Sequence, residues 1–319
     1  MSYADQLFVS MCEDIINNGT DTQGEKVRPK WEDGTPAYTI KKFGVVNRYD
    51  LRKEFPALTL RKTALKSCMD EILWIYQKKS NNINDLNSHI WDEWADEDGS
   101  IGKAYGYQIG QKYAHHNMTS ESISELQKEY PSAVIRNKAI SEDLDNDRVR
   151  TTIVPFVYLD QIDAVIYDLK NNPYSRRIMI NMYNHQDLYQ MNLYPCAYSM
   201  TFNVTNENGV LTLNAILNQR SQDVLAANNW NVCQYAILLM MIAQVCDMEA
   251  GELVHVIADC HLYLKHVPII KELITREQYP APKVRLNPDI KNFYDFTTND
   301  LIVEDYIAGE QVKNIPIAI

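Results

Sequence analysis

The chain reads as a mixed helix-and-strand protein, α+β or α/β with one insertion, and three observations carry that reading. Apolar residues recur at helical spacing in the segments Ala4 to Asn17 and Ala64 to Gln77. Two alternating apolar/polar segments flank Asn206-Glu207-Asn208-Gly209, a hairpin pattern. The 319 residues give a length prior of about two domains, or of one large domain with an insertion, and no internal repeat or glycine-rich phosphate loop is present.

Taken in order, Leu7, Met11, Ile15 and Ile16 form the apolar face of an opening helix that ends at Asn17-Asn18-Gly19. The turn-rich loop Arg28 to Pro36 leads into a strand from Ala37 to Val46 and a second run through Phe55. The helix Ala64 to Gln77 buries Leu65, Met69, Ile72, Leu73 and Tyr76, with Glu71 at the edge of that face beside Trp74, where partial desolvation raises a carboxyl pKa. Two tryptophans, Trp91 and Trp94, sit in the acidic turn Ile90 to Gly99, and Gly102 to Gln108 follows with Tyr105.

From about Gln111 to Thr152 the composition turns polar and charged, which marks an inserted, solvated subdomain. Its His115-His116 pair has no further ligands at metal-site spacing and reads as surface. A helix is predicted over Tyr158 to Leu169, a strand over Ile178 to Tyr183, and a buried helix over Val232 to Cys246 with Asn228 as its cap. Leu253 to Ile257 is a predicted strand with Asp259-Cys260-His261-Leu262-Tyr263 at its end, and the tail through Ile319 alternates as strands.

Composition limits the function. Hydrophobic residues make up 45% and charged residues 23%, the balance of an ordinary globular chain. With 31 basic and 42 acidic residues the net charge is −11, which repels nucleic acid and anionic membranes over most of the surface, so any anion site is local. The six cysteines show no CxxC pairing in a chain far larger than a disulfide-stapled module, and Met1 to Gln6 lacks a signal-peptide start; a cytoplasmic, reducing location is expected. The longest uncharged stretch, Val224 to Cys246, is interrupted by asparagines 228, 229 and 231, leaving about fifteen usable residues where a spanning helix needs roughly twenty.

The chemistry centres on Asn192 to Tyr198 and on Asn218 to Asp223, which the hairpin brings together. A guanidinium from Arg220 beside the Cys196 thiol favours the thiolate, and could hold an anionic substrate within its reach.

Eight stretches occur in one order: Phe55 to Thr59, Glu71 to Trp74, Ile90 to Gly99, Tyr174 to Ile178, Tyr194 to Cys196, Gln219 to Asp223, Trp230 to Val232 and Asp259 to Tyr263. In these the chain resembles the thymidylate synthase family, over nearly its whole length apart from the 111–152 region. The resemblance implies a single α+β catalytic domain over 1–319, with a large mixed or antiparallel sheet as the homodimer interface and helices on its other face. It implies reductive methylation of dUMP to dTMP with 5,10-methylenetetrahydrofolate as carbon donor and reductant, and no metal. By the same resemblance Cys196 is the nucleophile at uracil C6, Glu71 organises proton transfers, and Tyr105 places a hydroxyl near the cysteine.

Further roles follow from the same match. Arg28, Arg220 and Ser221 bind the phosphate together with Arg176 and Arg177 from the partner subunit, and Gln219 joins this substrate set. Asn231 reads uracil O4 and N3–H, His261 and Tyr263 the deoxyribose hydroxyl, and Asp223 the pterin ring. Trp91, Trp94, Ala227, Trp230 and the terminal Ile319, a lid, face the folate. Ala227-Asn228-Asn229-Trp230-Asn231 stands where the family usually has Gly-x-Pro-Phe-Asn, and Ala197 replaces its usual histidine. Two other readings are a dUMP hydroxymethylase, in which water captures the methylene intermediate, and a catalytically silent nucleotide-binding regulator on the same fold.

Overall fold

A computed structural model of the protein describes residues 1–115, 123–144 and 148–318. The opening helix α1 (Tyr3–Asn18) is capped by Ser2, whose hydroxyl accepts from the Asp5 N–H at 3.1 Å, and it buries Phe8, Met11, Cys12 and Ile15. After the short β1 (Thr20–Asp21) comes β2 (Thr39–Asp50), one continuous strand where two runs were expected. Its pairing with a later strand carries it straight through Val46 to Asp50.

Helix α2 (Leu65–Ile72) continues as a π-helical turn through Gln77, placing Glu71, Trp74 and Tyr76 in the interior. The short α3 (Gly106–Ile109) follows Tyr105, which holds φ at 43°. The polar region folds as β3 (Tyr113–His115), α4 (Ile123–Glu129), β4 (Val134–Leu144) and β5 (Arg148–Leu159), with a small sheet ordered β3-β5-β4. Tyr158 and Leu159 therefore end a strand instead of opening a helix. The helix α5 (Gln161–Asn171) begins behind them, capped by Asp160, which accepts from the Asp163 N–H at 3.0 Å. His115 is half-buried, 3.0 Å from Asp168, and His116 lies outside the described residues.

The central hairpin joins β7 (Ala197–Glu207) to β8 (Val210–Asp223), after the edge strand β6 (Met179–Asn181). Asn208 and Gly209 take φ of 55° and 90°, the paired left-handed conformation that a two-residue hairpin turn requires. Helix α6 (Asn228–Val245) is apolar on every side because it is enclosed, lying between α2 and the sheet. Asn228 lies inside this helix, Ala227 occupying the cap position. Strand β9 (Glu249–Tyr263) runs on through Asp259, His261 and Tyr263, which were expected beyond its end. The helix α7 (Val267–Leu273) follows, and among the described residues of the tail only β10 (Lys283–Leu286) and β11 (Leu301–Glu304) are strands.

The main sheet is ordered β1-β2-β9-β8-β7-β6, antiparallel except for the β8/β9 pair. The architecture is α+β, with helices covering one sheet face. The other face leaves Val46, Ile216 and Met179 exposed, and Phe43 on β2 is 91% exposed. The parallel seam positions the site: both strands run toward one end, so Gln219 to Asp223 and Asp259 to Tyr263 emerge side by side. A register shift between Ala197 and Ser199 bends β7 where it starts, next to Cys196.

Candidate active site

Cys196 stands at the mouth of β7 directly opposite Arg220 on β8. The Arg220 N–H donates to the Cys196 carbonyl at 2.9 Å, and its Nη2 lies 3.5 Å from Sγ. The same guanidinium donates from Nε to the Pro195 carbonyl at 3.0 Å and from Nη2 to the Tyr194 carbonyl at 2.6 Å. Tyr105 approaches from α3, its hydroxyl accepting from the Cys196 N–H at 3.2 Å. A tyrosine held at positive φ is strained, and here the strain accompanies the placement of that hydroxyl.

Burial pushes the Cys196 thiol above its ordinary value, against the pull of Arg220 and Arg28. The expected thiolate-favouring effect of the guanidinium is therefore present but outweighed, because a half-buried thiol loses hydration that two partly solvated cations do not replace. The other five cysteines are buried and unpaired.

Glu71 is 4% exposed, deeper than the face-edge position expected from its spacing. Trp91 donates from Nε1 to one carboxyl oxygen at 3.1 Å and Trp230 to the other at 2.8 Å. Burial raises its pKa, while hydrogen bonding from Trp230, Gln234 and Trp91 opposes the rise. Trp91 also meets Trp94 and Tyr105 edge-on, at 5.7 and 5.0 Å between ring centres. Trp91 and Trp230 thus flank one carboxyl, and Trp94 packs against Trp91.

Asn231, one turn into α6, accepts from Gln219 Nε2 at 3.1 Å and donates to Gln234 Oε1 at 3.0 Å. Asp223, at the end of β8, accepts from the Ala226 N–H at 3.0 Å and lies 3.5 Å from His266 Nδ1. Burial acts to raise its pKa, but His266, the Ala226 amide and His261 hold it below the ordinary carboxylate range. His261 pairs with Asp259 at 2.8 Å and stacks edge-on with Tyr263, whose hydroxyl burial pushes up to about 12. Ser221 offers its carbonyl to Gln219 Nε2 at 3.1 Å, and Ala227 begins the turn into α6.

Arg28 is exposed on its loop yet acts on both Cys196 and Tyr263. Arg176 and Arg177 are exposed before β6 and are not among the charges that act on the thiol. Ile319 lies outside the described residues. No group of described residues forms a metal site, and no described helix is long and apolar enough to cross a membrane.

Two buried histidines went unnoticed in the sequence. His266 donates from Nε2 to the Pro316 carbonyl at 2.8 Å while facing Asp223, and so ties the tail to the site. His255 lies beneath Gln219 on β9. Neither has a sequence signal of its own, although the period-two alternation of β9 places His255 on the buried face.

The family described as thymidylate synthase has a sequence profile that matches residues 6–318. Thymidylate synthase 1 of Bacillus subtilis (strain 168) is 38% identical to this chain over 316 residues, 98% of each. Thymidylate synthase of Bacillus phage phi3T is 37% identical over 316 residues, again 98% of each. Of the solved structures, thermostable thymidylate synthase A from Bacillus subtilis is similar over 99% of both chains, with a TM-score of 0.78 and 36% identity.

Proposed function

The chain belongs to the thymidylate synthase family and is an enzyme, and on that premise we propose that it converts dUMP to dTMP through a covalent Cys196 adduct at uracil C6. The observation that carries the mechanism is the joint placement of Cys196 and Arg220 at the end of the parallel seam, with Sγ 3.5 Å from Nη2. Thiolate addition to C6 turns the ring into an enolate, so that C5 becomes a nucleophile and one hard step divides into easier ones.

Arg220 serves the phosphate. Nε and Nη2 are engaged by the Pro195 and Tyr194 carbonyls, and Nη1 makes no hydrogen bond among the described residues, which leaves two N–H donors for an anion. Arg28 and Ser221 complete the set within this chain, and His261 and Tyr263 meet the sugar hydroxyl. Asn231 spends one lone pair on Gln219 and one hydrogen on Gln234, keeping one acceptor for uracil N3–H and one donor for O4. Glu71, buried and with its pKa raised, holds and passes protons through water, and the Tyr105 hydroxyl orders the cysteine backbone.

The co-substrate is 5,10-methylenetetrahydrofolate, which supplies the carbon and the hydride. The residues present suit it: Asp223 is kept ionised to meet a pterin ring's N–H groups, and Trp91, Trp94 and Trp230 provide flat apolar surface. Trp230 gives the wall beside Ala227 an indole whose N–H is committed to Glu71. The active form is a homodimer joined through the open sheet face bearing Val46, Ile216 and Met179, which brings Arg176 and Arg177 to the partner's phosphate site.

The test is product analysis. Protein supplied with dUMP and methylenetetrahydrofolate yields dTMP and dihydrofolate in equal amounts. Tetrahydrofolate with a hydroxymethylated nucleotide would overturn the reading in favour of a hydroxymethylase, and no product, with Cys196→Ser behaving like wild type, would favour a silent binding protein.

A further inference from the structure

A chain of side chains runs from the floor of the core to the base-facing residue. His255, fully buried on β9, lies 2.8 Å from Gln219 Oε1 through its Nε2. Gln219 Nε2 donates to the Ser221 carbonyl at 3.1 Å and to Asn231 Oδ1 at 3.1 Å. Asn231 Nδ2 then donates to Gln234 Oε1 at 3.0 Å. Two of these links cross from one element to the next, His255 to Gln219 from β9 to β8 and Gln219 to Asn231 from β8 to α6.

The direction of this chain follows from chemistry alone. A backbone carbonyl only accepts, so the amide nitrogen of Gln219 must face Ser221, and its oxygen must face the imidazole. Nε2 of His255 is therefore an N–H donor. Burial drives the His255 pKa down to about 3, so the ring is neutral at physiological pH and carries a single proton, which sits on Nε2. In agreement, Nδ1 is buried and has no hydrogen-bond partner among the described residues. The two ends of an amide have nearly the same shape, so only the partners decide which end points where.

We propose that His255 is the positioning residue that keeps the Gln219 amide, whose way round the Ser221 carbonyl sets, locked against Asn231, and thereby makes the pocket accept a uracil and refuse a cytosine nucleotide. The inference rests on the reading of Asn231 as the side chain that contacts the base. Uracil presents a donor at N3 and an acceptor at O4, whereas cytosine presents an acceptor at N3 and a donor amine at C4. Reversing the Asn231 amide exchanges its donor and acceptor and matches cytosine instead. Removing the His255 N–H leaves Gln219 Oε1 buried and unpaired, which releases Gln219 and with it the constraint on Asn231.

The experiment measures dissociation constants for dUMP and dCMP by titration with wild type, His255→Phe, His255→Gln and Asn231→Asp. His255→Phe lowers the preference for dUMP by about tenfold or more, while His255→Gln, which keeps an N–H, retains most of it. A folded His255→Phe protein with an unchanged ratio overturns the proposal, provided Asn231→Asp shifts preference toward dCMP. If Asn231→Asp shifts nothing, the reading of Asn231 itself fails and the proposal falls with it. Should His255→Phe not fold, nitrogen-15 NMR of the wild-type imidazole decides. A neutral ring protonated at Nε2 at pH 7 supports the proposal; a proton on Nδ1, or a charged ring, refutes it.

Discussion

Arg220 meets Cys196 twice, through its backbone N–H to the cysteine carbonyl at 2.9 Å and through Nη2 to Sγ at 3.5 Å. Main chain and side chain thus meet the same residue, and the guanidinium cannot drift from the sulfur without giving up its bonds to the Pro195 and Tyr194 carbonyls. The cation is held close, yet burial still leaves the thiol above its ordinary pKa.

In the free protein, the pH dependence of Cys196 alkylation by iodoacetamide has its midpoint above that of an ordinary cysteine. The other five cysteines are buried and react slowly, so peptide mapping isolates the signal. Arg220→Gln removes a charge that lowers the pKa, so the midpoint moves higher still and the rate at pH 8 falls severalfold. A midpoint near neutrality would contradict the balance of burial and charge described above.

Trp230→Phe tests the carboxyl at the other side of the pocket. The indole N–H donates to Glu71 at 2.8 Å and favours the ionised form, so its loss raises a pKa that burial has already raised. If ionised Glu71 is needed, the acidic limb of the kcat/KM profile shifts to higher pH, by up to about one unit for one hydrogen bond worth roughly 1.4 kcal/mol. Linkage gives the matching sign for stability. A carboxyl with its folded pKa above its unfolded value favours the fold at pH below the unfolded pKa, and that contribution is lost as pH rises through the folded pKa. An acidic limb that stays in place or moves down would remove Glu71 from the proton-handling role.

Subunit mixing addresses the dimer. Cys196→Ser and the double variant Arg176→Ala/Arg177→Ala are each nearly inactive alone. Unfolded together and refolded, they form heterodimers in which one of the two sites has an intact cysteine and intact partner arginines, and roughly a quarter of the wild-type activity returns. Absence of recovery, with heterodimers verified by mass, would place the arginines' function within their own chain.

Much of the architecture was legible in the chain. The Asn208-Gly209 turn, the all-apolar helix α6 and the opening helix α1 that stops before Gly19 are local features whose physics lies within a few residues. The strand ends were not: β2 and β9 run further than their own patterns indicate because they pair with each other along eleven or more positions, and pairing is a property of both strands. Tyr158 was assigned to a helix because its apolar spacing serves equally for the end of β5.

The eight ordered stretches determined the family and the identity of the candidate side chains, since residue types such as a cysteine, an arginine and an amide are written in the sequence itself. Their states were decided only in three dimensions. Whether Cys196 is a thiol or a thiolate, how far Glu71 is desolvated, and which end of Asn231 faces a ligand depend on burial and on partners from β8, β9, α2 and α6. Proton affinity and amide orientation are collective quantities, set by solvent exclusion and by who stands opposite, and no stretch of chain carries them alone.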